Sequence, residues 1–381
     1  MNSPKKILVA AVHPWDSQFL KAGNHHYIEL LAKNGHKIFW INHPTSIPHL
    51  FREHGGTQLK NLLKGVHETN GVLSYTPFTL FPYIRIPPFN SSWVGKQHLR
   101  FAIPSVKKVL ESHGFADVDI LFMDNMSLSY LTEVVKYKKF VLRIVDDFDG
   151  LTPAKKSLLD LQKELIKKAD AVFVTSKELM KYNVSNRKNF WYLPNAVDLE
   201  HFEGEFPLPE EYKNIPSPRI LYVGSLFQWI DRVDINLILK MAQALPSYNF
   251  IFVGPATISL DEMTKRSNIF LLGPKKYEDI PAYMKHADVG IIPFKQNTLT
   301  KAMSSMKLFQ YLASGLPVVS SRMPELESMN PPAYFAKNQE EFIAALQKAC
   351  QQGKNRPEFF AFAKENSWAN RYKSMTDILG I

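Results

Sequence analysis

The feature that most constrains the fold of this chain is a repeated alternation of short apolar runs with helical patterns. In the first half, runs such as Lys6–Val12 and Phe140–Val145 are bounded by polar residues, and helical patterns such as 154–168 lie between them. Short apolar runs that alternate with helices are typical of strands buried on both faces of a parallel sheet. The sequence therefore predicts an α/β fold with helices on both sides of a parallel sheet.

The alternation is interrupted once, by a proline-rich segment, and then starts again. Trp191–Pro218 contains five prolines and reads as an irregular connection. We predict a first domain over 1–195 that also includes a C-terminal crossover helix over 364–381, a linker over 196–217 and a second domain over 218–363. A length of 381 residues agrees with two domains, because it exceeds what one hydrophobic core usually covers.

The overall composition excludes several classes of protein. Apolar residues make up 45% and charged residues 22% of the chain, which excludes disordered, collagen-like and coiled-coil proteins. The single cysteine, Cys350, rules out an internal disulfide and fits a reducing compartment. The sequence shows neither a secretory signal nor an apolar run of about 18 residues, so we expect no signal peptide and no membrane span.

Positive charge is concentrated in the first half of the chain. Residues 1–190 hold 26 Lys and Arg against 16 Asp and Glu, whereas residues 191–381 hold 20 of each. The first half is therefore expected to meet a membrane surface, a nucleic acid or a phosphorylated substrate, unless the charge serves solubility alone. Within it, Tyr75–Phe101 interleaves aromatic with basic residues. That mixture suits a membrane interface or base stacking, unless the rings fold back on the core.

Ligands of parallel sheets bind at the carboxyl ends of the strands, so the residues that follow strands are the candidates. Gly224 and Ser225 follow the predicted strand Arg219–Val223. A glycine lets backbone N–H groups approach a phosphate, and a serine hydroxyl can donate to it. The chain has neither the glycine pattern of dinucleotide-binding folds nor that of a P-loop.

Ser304–Val319 is a more specific pattern. Two serines begin a helix, where free N–H groups and the positive end of the helix dipole attract anions. Lys307 adds a positive charge in the first turn, and Gln310 shares a face with Met306 and Lys307. This arrangement would hold a diphosphate at the helix start and a ribose hydroxyl at the glutamine. Taken singly, Lys307 could be a solvated lysine and Gln310 a surface amide.

The same segment resembles the nucleotide-binding helix of glycosyltransferases with the GT-B fold. Three other segments are similar to motifs of the large retaining, GT4-like branch: Ala169–Ser176, Leu193–Phe202 and Asn366–Trp368. In the second of these, Ala196 replaces the usual glycine. The resemblance implies two Rossmann-like domains whose parallel sheets face each other across a cleft. It places the nucleotide sugar on the second domain and the acceptor on the first.

Within that fold, the helix resembles that of the inverting, membrane-associated glucuronosyltransferases of xanthan assembly. Many retaining members carry two glutamates eight positions apart, and Ala302 and Gln310 stand at those positions here. In the inverting relatives a serine, a methionine, a lysine and a glutamine of this helix contact the UDP. The resemblance assigns these roles to Ser305, Met306, Lys307 and Gln310.

The resemblance also points to a catalytic base in the first half. Lys139–Asp146 is similar to the family's strand that ends in its catalytic aspartate, which makes Asp146 the first candidate. An alignment through the following Gly-Leu-Thr gives Asp149 instead. Asp146, Asp147 and Asp149 are also crowded at a strand end, where mutual repulsion raises the pKa of at least one carboxyl. Helix capping is the alternative role for Asp149.

Together these features imply an inverting transferase that moves a sugar from a UDP-sugar to a lipid-linked or other saccharide acceptor in bacterial-type surface polysaccharide assembly. Gly224 and Ser225 would join the donor site, and Phe294 would lie against the nucleotide base. Neither a metal nor a cofactor is expected, because helix ends and lysines can neutralise the leaving diphosphate. No zinc-binding spacing is present in the sequence.

The basic first half would place the protein in the cytoplasm, peripherally on the anionic inner face of the cell membrane, and no nucleic acid is expected as a partner. Three alternatives remain: a retaining transferase, a sugar-nucleotide epimerase of the same fold, and a non-catalytic binder of glycans or nucleic acids. An epimerase would not explain the basic first half of the chain. A non-catalytic binder would not explain the helix that begins with Ser-Ser-Met-Lys.

Overall fold

The computed structural model describes residues 3–51, 55–84, 89–147, 153–226, 232–257 and 260–381, and side chains 55, 57, 58 and 153–155 are also left undescribed. The chain divides into two compact units. The first consists of Met1–Ser17, Ala22–Leu193 and Met375–Ile381, and the second of Gln18–Lys21 and Pro194–Ser374. Each unit is an α/β layer structure around its own sheet.

The described residues of the first unit form one sheet of eight strands. They are β1 (Lys6–Ala10), β2 (Lys37–Ile41), β3 (His67–Thr69), β4 (Val72–Tyr75), β5 (Asp117–Met123), β6 (Lys136–Ile144), β7 (Ala171–Val174) and β8 (Phe190–Tyr192). The strand order is β3-β4-β2-β1-β5-β6-β7-β8. All neighbours run parallel except β3 and β4, which are antiparallel.

Helices connect these strands, as the parallel topology requires. They are α1 (Gly23–Lys33), α2 (Ile47–Leu50), α3 (Gly55–Leu63), α4 (Ser92–Gln97), α5 (Val106–Ser112), α6 (Leu131–Val134) and α7 (Pro153–Lys168). The central strands β1, β5 and β6 are neighbours, and their C-terminal residues are buried. Their carboxyl ends therefore bring the residues that follow them to one edge of the sheet.

The second unit is built on a parallel sheet of six strands among its described residues. They are β9 (Arg219–Val223), β10 (Asn249–Val253), β11 (Ile269–Gly273), β12 (Val289–Ile292), β13 (Val318–Ser321) and β14 (Tyr334–Ala336). Their order is β11-β10-β9-β12-β13-β14. The change of direction in this order lies at β9, whose neighbours are β10 and β12, and ligands of such sheets bind at that point.

The helices of the second unit range from 4 to 14 residues in length. They are α8 (Leu199–Phe202), α9 (Ile235–Ala244), α10 (Asp261–Thr264), α11 (Ile280–Lys285), α12 (Thr298–Lys301), α13 (Met306–Ala313), α14 (Pro324–Glu327), α15 (Gln339–Gln352), α16 (Pro357–Glu365) and α17 (Trp368–Leu379). Helix α17 begins in the second unit and ends in the first.

The segment predicted as a linker, 196–217, packs within the second unit. Phe202, Tyr212 and Ile215 belong to its hydrophobic core. The Arg219 guanidinium lies 5.1 Å from the Tyr212 ring centroid and donates to the carbonyl oxygens of Ile215 and Tyr212. These contacts hold in place a segment that is irregular apart from α8 and a 3-10 turn at Glu210–Asn214.

The predicted α/β class, with parallel sheets in two domains, is confirmed. Helices formed by the described residues all lack the combination of length and apolar character that crossing a bilayer requires. The predicted crossover over 364–381 corresponds in part to the end of α17. There, the Lys139 ammonium donates to the Leu379 carbonyl oxygen at 2.6 Å within the first unit.

Candidate functional site

Helix α13 begins with an anion-binding geometry. Ser305 is its N-cap residue, is 5% exposed and makes no capping hydrogen bond through its side chain. Ser304 is used structurally, because its hydroxyl accepts from the Asn195 N–H at 3.1 Å and its carbonyl accepts from the Asn195 amide at 2.7 Å. The N–H groups of the first turn therefore lack a cap from Ser305 and, with the helix dipole, favour an anion.

Lys307, in that first turn, lies over an aromatic floor. Its ammonium is 5.4 Å from the Tyr222 ring centroid and 5.6 Å from that of Phe294. Burial, with a smaller contribution from nearby Arg232, lowers the pKa of Lys307 to about 7. Within the part of the chain that the structure describes, this ammonium has no carboxylate partner. A desolvated cation of this kind is stabilised when an anionic ligand arrives.

Arg232 supplies a second cation at the same place. Its guanidinium donates to the Ser225 hydroxyl at 2.9 Å and lies 5.4 Å from the Phe294 ring centroid. The Phe294 side chain is 2% exposed, and the cationic groups of Arg232 and Lys307 both lie over its ring. Contact between Phe294 and a nucleotide base stays a prediction. Arg232 was not singled out in the sequence, because only tertiary contacts connect it with Ser225 and Phe294.

Gly224 makes room for Lys307. A Cβ atom at Gly224 would lie 2.8 Å from both the Cε and the Nζ of Lys307, and the backbone has a φ of +150°. The Gly224 N–H donates to the Val253 carbonyl at 2.8 Å. The glycine thus admits the lysine rather than offering this amide to a phosphate. Position 254 likewise accommodates only glycine, since a Cβ atom there would lie 2.2 Å from the Gly224 carbonyl oxygen.

The outer face of α13 carries the other predicted donor residues. Met306, Lys307 and Gln310 are half-buried, whereas the opposite face is buried. Tyr311 on that buried face accepts a hydrogen bond from the Val223 N–H at 2.9 Å, and its ring lies where a Cβ atom of Gly290 would be. This contact fixes α13 on β9 and β12, so its orientation is set by the sheet.

A separate group of charged side chains lies at the carboxyl edge of the first unit's sheet. Asp124 directly follows β5, and its carboxylate accepts from the Val12 N–H at 3.2 Å. Burial raises the pKa of Asp124 to about 6, opposed by Arg143 and reinforced by the negative charge of Asp146. Asp146, half-buried and two residues after β6, thus lies close enough for the two carboxylates to interact.

Arg143 links these carboxylates to the core of the first unit. Its side chain is 2% exposed, donates to the Asn24 side-chain oxygen at 3.2 Å and lies 5.7 Å from the Tyr27 ring centroid. Both Asp124 and Asp146 interact with its charge. Two carboxylates that share one buried guanidinium are held in different environments, which is a common arrangement for acid–base chemistry.

Of the predicted aspartate cluster, only Asp146 and Asp147 lie within the described residues, and Asp149 lies outside them. Asp147 is fully buried and accepts hydrogen bonds from the Lys181 ammonium and the Tyr182 hydroxyl, each at 2.6 Å. Its role is therefore structural. Asp124 was missed from the sequence, although a carboxylate that follows an apolar strand is a recognisable signal. The described residues contain no cluster of side chains able to hold a metal ion.

Comparison with known families places the α13 site in context. Residues 217–352 match the family of glycosyl transferases group 1. The matched segment covers about a third of the chain. It contains every donor-site residue predicted from the sequence.

Two curated proteins are similar to this chain. One, from Bacillus subtilis, is named as a teichuronic acid biosynthesis glycosyltransferase, TuaH; it is 25% identical over 244 residues, covering 60% of this chain and 61% of that protein. The other is a UDP-glucuronate:glycolipid 2-beta-glucuronosyltransferase from Xanthomonas campestris, 24% identical over 281 residues, covering 70% and 66%. The chain thus spans about two thirds, or somewhat less, of the length of these two relatives. The predicted resemblance to a glucuronosyltransferase is confirmed.

Solved structures agree on the fold. Sucrose-phosphate synthase from Thermosynechococcus elongatus superposes with a TM-score of 0.71 at 14% identity over 98% of each chain. Anabaena Alr3699/HepE in complex with UDP-glucose gives 0.67 at 12% identity over 99% of each chain. At these identities the likeness concerns the fold alone, and it confirms the GT-B fold predicted from the sequence.

Proposed function

We propose that this protein is a glycosyltransferase that moves a sugar from a UDP-sugar to a saccharide acceptor in surface polysaccharide assembly. One observation carries the proposal: the Lys307 ammonium, desolvated on an aromatic floor, lies in the first turn of α13 within a group 1 glycosyltransferase domain. A diphosphate matches both features, because it neutralises the lysine and accepts from the free N–H groups of the helix start.

The names of similar proteins support this donor and acceptor chemistry. The Xanthomonas relative is named for UDP-glucuronate and a glycolipid, the Bacillus relative for teichuronic acid biosynthesis, and the Anabaena structure contains UDP-glucose. In the proposed donor site, the Ser305 N-cap and Lys307 hold the diphosphate and Gln310 the ribose. Met306 packs on the nucleotide, and Gly224 and Ser225 keep Lys307 and Arg232 in place.

The proposed reaction proceeds with inversion and uses an aspartate base of the first unit. The base takes the proton of the acceptor hydroxyl, whose oxygen forms a bond to the anomeric carbon as the bond to the UDP oxygen breaks. Lys307 and the start of α13 stabilise the charge that develops on the departing diphosphate. Asp146 is the proposed base, Asp124 its interacting partner, and Asp149 the second candidate.

The proposed acceptor is lipid-linked, and the protein would bind peripherally to the inner face of the cell membrane through its basic first half. The charge balance of residues 1–190 supports this location. We expect no metal, cofactor or nucleic acid to be needed.

Calorimetric titration with a panel of nucleotide sugars tests the proposal, with Lys307→Ala as the site variant and Lys301→Ala as the control. Lys301 ends α12, a few residues away, and is exposed. We expect UDP-sugars to bind the wild type and Lys301→Ala equally, and Lys307→Ala at least about tenfold more weakly. Absence of UDP-sugar binding by the wild type would overturn the proposal. Conversion of the sugar without any acceptor would instead identify an epimerase.

A further inference from the structure

We propose that an aromatic cavity of the first unit binds the hydrocarbon chain of a lipid-linked saccharide acceptor. This inference rests on the proposed function and specifies its acceptor. The cavity has a volume of about 300 Å³, and its lining includes Phe81, Phe89, Trp93, Val94, His98 and Phe101. That volume is at the lower end of ligand-binding cavities, which span roughly 300–1,000 Å³. It suits part of a narrow chain better than a glycan.

Two polar groups of the lining, the Ser91 hydroxyl and the His98 Nδ1, bond to local backbone. The Ser91 hydroxyl accepts from the Val94 N–H at 3.3 Å as the N-cap of α4. The His98 Nδ1 donates to the carbonyl oxygens of Val94 and Gly95, at 3.2 and 3.0 Å. Apart from Gln97 and the His98 Nε2, which has no partner among the described residues, the rest of the lining is apolar, with the Phe81 and Phe101 rings 4.8 Å apart between centroids. A chain loses no hydrogen bonds on entering such a cavity, whereas a sugar would.

Large apolar side chains at the rim of the cavity are exposed to solvent. Trp93 is 67% exposed, Phe81 48% and Phe101 40%, and the nearby Leu80 and Ile103 are each more than half exposed. Contiguous exposure of this kind marks an interaction surface rather than ordinary protein surface. Exposed Arg100 lies beside Phe101 in the chain. Aromatic rings beside cations suit the membrane–water interface, from which a lipid chain would enter.

A chain of neighbouring side chains leads from the cavity toward the edge of the same unit that carries the carboxylates. His98, 2% exposed, forms its inner wall and lies close enough to His43 and His49 to interact with them electrostatically. His43 in turn meets the Asn125 amide at 3.1 Å, and Asn125 follows Asp124. Burial lowers the pKa of His98 to about 4 and that of His43 to about 3, so this wall is uncharged at neutral pH.

The net positive charge of the first half favours a lipid with an anionic head group over other apolar ligands of the cavity. Residues 1–190 carry an excess of ten positive charges, 26 against 16, which complements the phosphate of a lipid-linked saccharide. With its chain in the aromatic cavity, such a lipid would be held on the same unit as Asp124 and Asp146.

Binding of alkyl β-glucosides, from butyl to dodecyl and below their micellar concentrations, tests this inference by calorimetry on the full chain. We expect affinity to rise with chain length and then to level off once the cavity is filled. Val94→Phe, which adds a ring inside the cavity, should weaken dodecyl glucoside binding at least about tenfold. Phe51→Ser removes an aromatic ring that is 86% exposed but does not line the cavity, and should change nothing. Trp93→Ser at the rim serves as a second site variant if Val94→Phe does not fold.

UDP binding, measured on the same samples, separates this inference from the proposed function. Affinity independent of chain length, or equal for the wild type and both cavity variants, would overturn the aromatic cavity as a chain site while UDP binding persists. Binding to phospholipid vesicles without binding of the monomeric glucosides would also overturn it, since the surface would then be only a membrane contact. Loss of UDP binding with chain binding intact would instead contradict the proposed function.

Discussion

At the scale of single residues, the proposed role of Lys307 predicts that UDP binding depends on pH. Its pKa in the free protein is about 7, below the ordinary 10.5, so at pH 8.5 most of the protein carries a neutral amine. A bound diphosphate favours the ammonium, and UDP binding should therefore take up a proton and weaken as the pH rises above 7, by at most about tenfold per pH unit. The terminal phosphate titrates near 6 and does not interfere.

Calorimetry of UDP binding at pH 8.5, in buffers of different ionisation enthalpy, measures this uptake directly. The wild type and the control Lys301→Ala should show a buffer-dependent heat, and Lys307→Ala should show none. A heat that is the same in every buffer for the wild type would mean that Lys307 does not meet the diphosphate.

The carboxylate pair gives a second prediction at this scale. Asp146→Asn should lower turnover by roughly 10²–10⁴ with UDP affinity kept, because only the base is removed. The pKa of Asp124 is raised to about 6, so its negative charge appears as the pH rises through 6. Wild-type kcat/KM should therefore change around pH 6, and Asp124→Asn should lose that change. Near-normal turnover of Asp146→Asn across the pH range would move the base to Asp124 or Asp149.

Residue types and their order were sufficient to predict the helix α13 but not its surroundings, and its role in donor binding stays a prediction. Ser305, Lys307 and Gln310 follow one another at helical spacing, which the sequence displays. Arg232, Tyr311 and the pair Asp124–Arg143 act through contacts between elements far apart in the chain, and no local pattern records such contacts. Gly224 illustrates the difference: that it lets backbone N–H groups approach a phosphate stays a prediction, whereas the space that it makes for a lysine 83 positions away appears only in the structure.

At the scale of elements, the position of α13 depends on how closely it approaches β12. A Cβ atom at Gly290 would lie 2.5 Å from the Tyr311 ring, and Tyr311 also accepts the Val223 N–H. Gly290→Ala should push α13 away from the sheet, lower the free energy of unfolding by about 1–3 kcal/mol and weaken UDP binding. Thermal unfolding and calorimetry check the two effects.

Gly56→Ala is the matched control, because a Cβ atom at that helical position meets nothing within 4 Å. It should raise stability slightly, since alanine is favoured over glycine in helices. If Gly290→Ala left both stability and UDP affinity at the level of Gly56→Ala, the contact between α13 and β12 could not be what orients the donor helix.

The bounds of the strands and helices show what local sequence patterns can predict and what they cannot. The predicted strand Arg219–Val223 coincides with β9. The helix predicted to begin at the two serines begins at Met306 as α13, because Ser304 is held by Asn195 and Ser305 is the N-cap. Prolines indicated a linker over 196–217, and that segment is irregular apart from α8 and a 3-10 turn at Glu210–Asn214. They could not indicate that Phe202 and Tyr212 would be buried in the second unit, since burial depends on what packs against them.

At the scale of the whole molecule, the uneven charge predicts binding to anionic membranes through the first half of the chain. Each Lys or Arg near an anionic surface contributes roughly 1 kcal/mol, and salt screens that attraction. The protein should therefore sediment with vesicles that contain anionic lipid, less so with neutral vesicles, and progressively less as salt is added.

Two double variants with the same net charge test whether vesicle binding depends on where the positive charge lies or only on the total charge. Lys60→Glu with Lys108→Glu places the change in the first half, and Lys348→Glu with Lys364→Glu places it in the second; all four lysines are exposed. Each pair lowers the net charge from +10 to +6, by two units per substitution. The first pair should weaken vesicle binding at least about tenfold and the second only slightly, because attraction falls off within a Debye length of the surface. Equal weakening by both pairs would mean that the total charge, rather than a basic first half, draws the protein to the membrane.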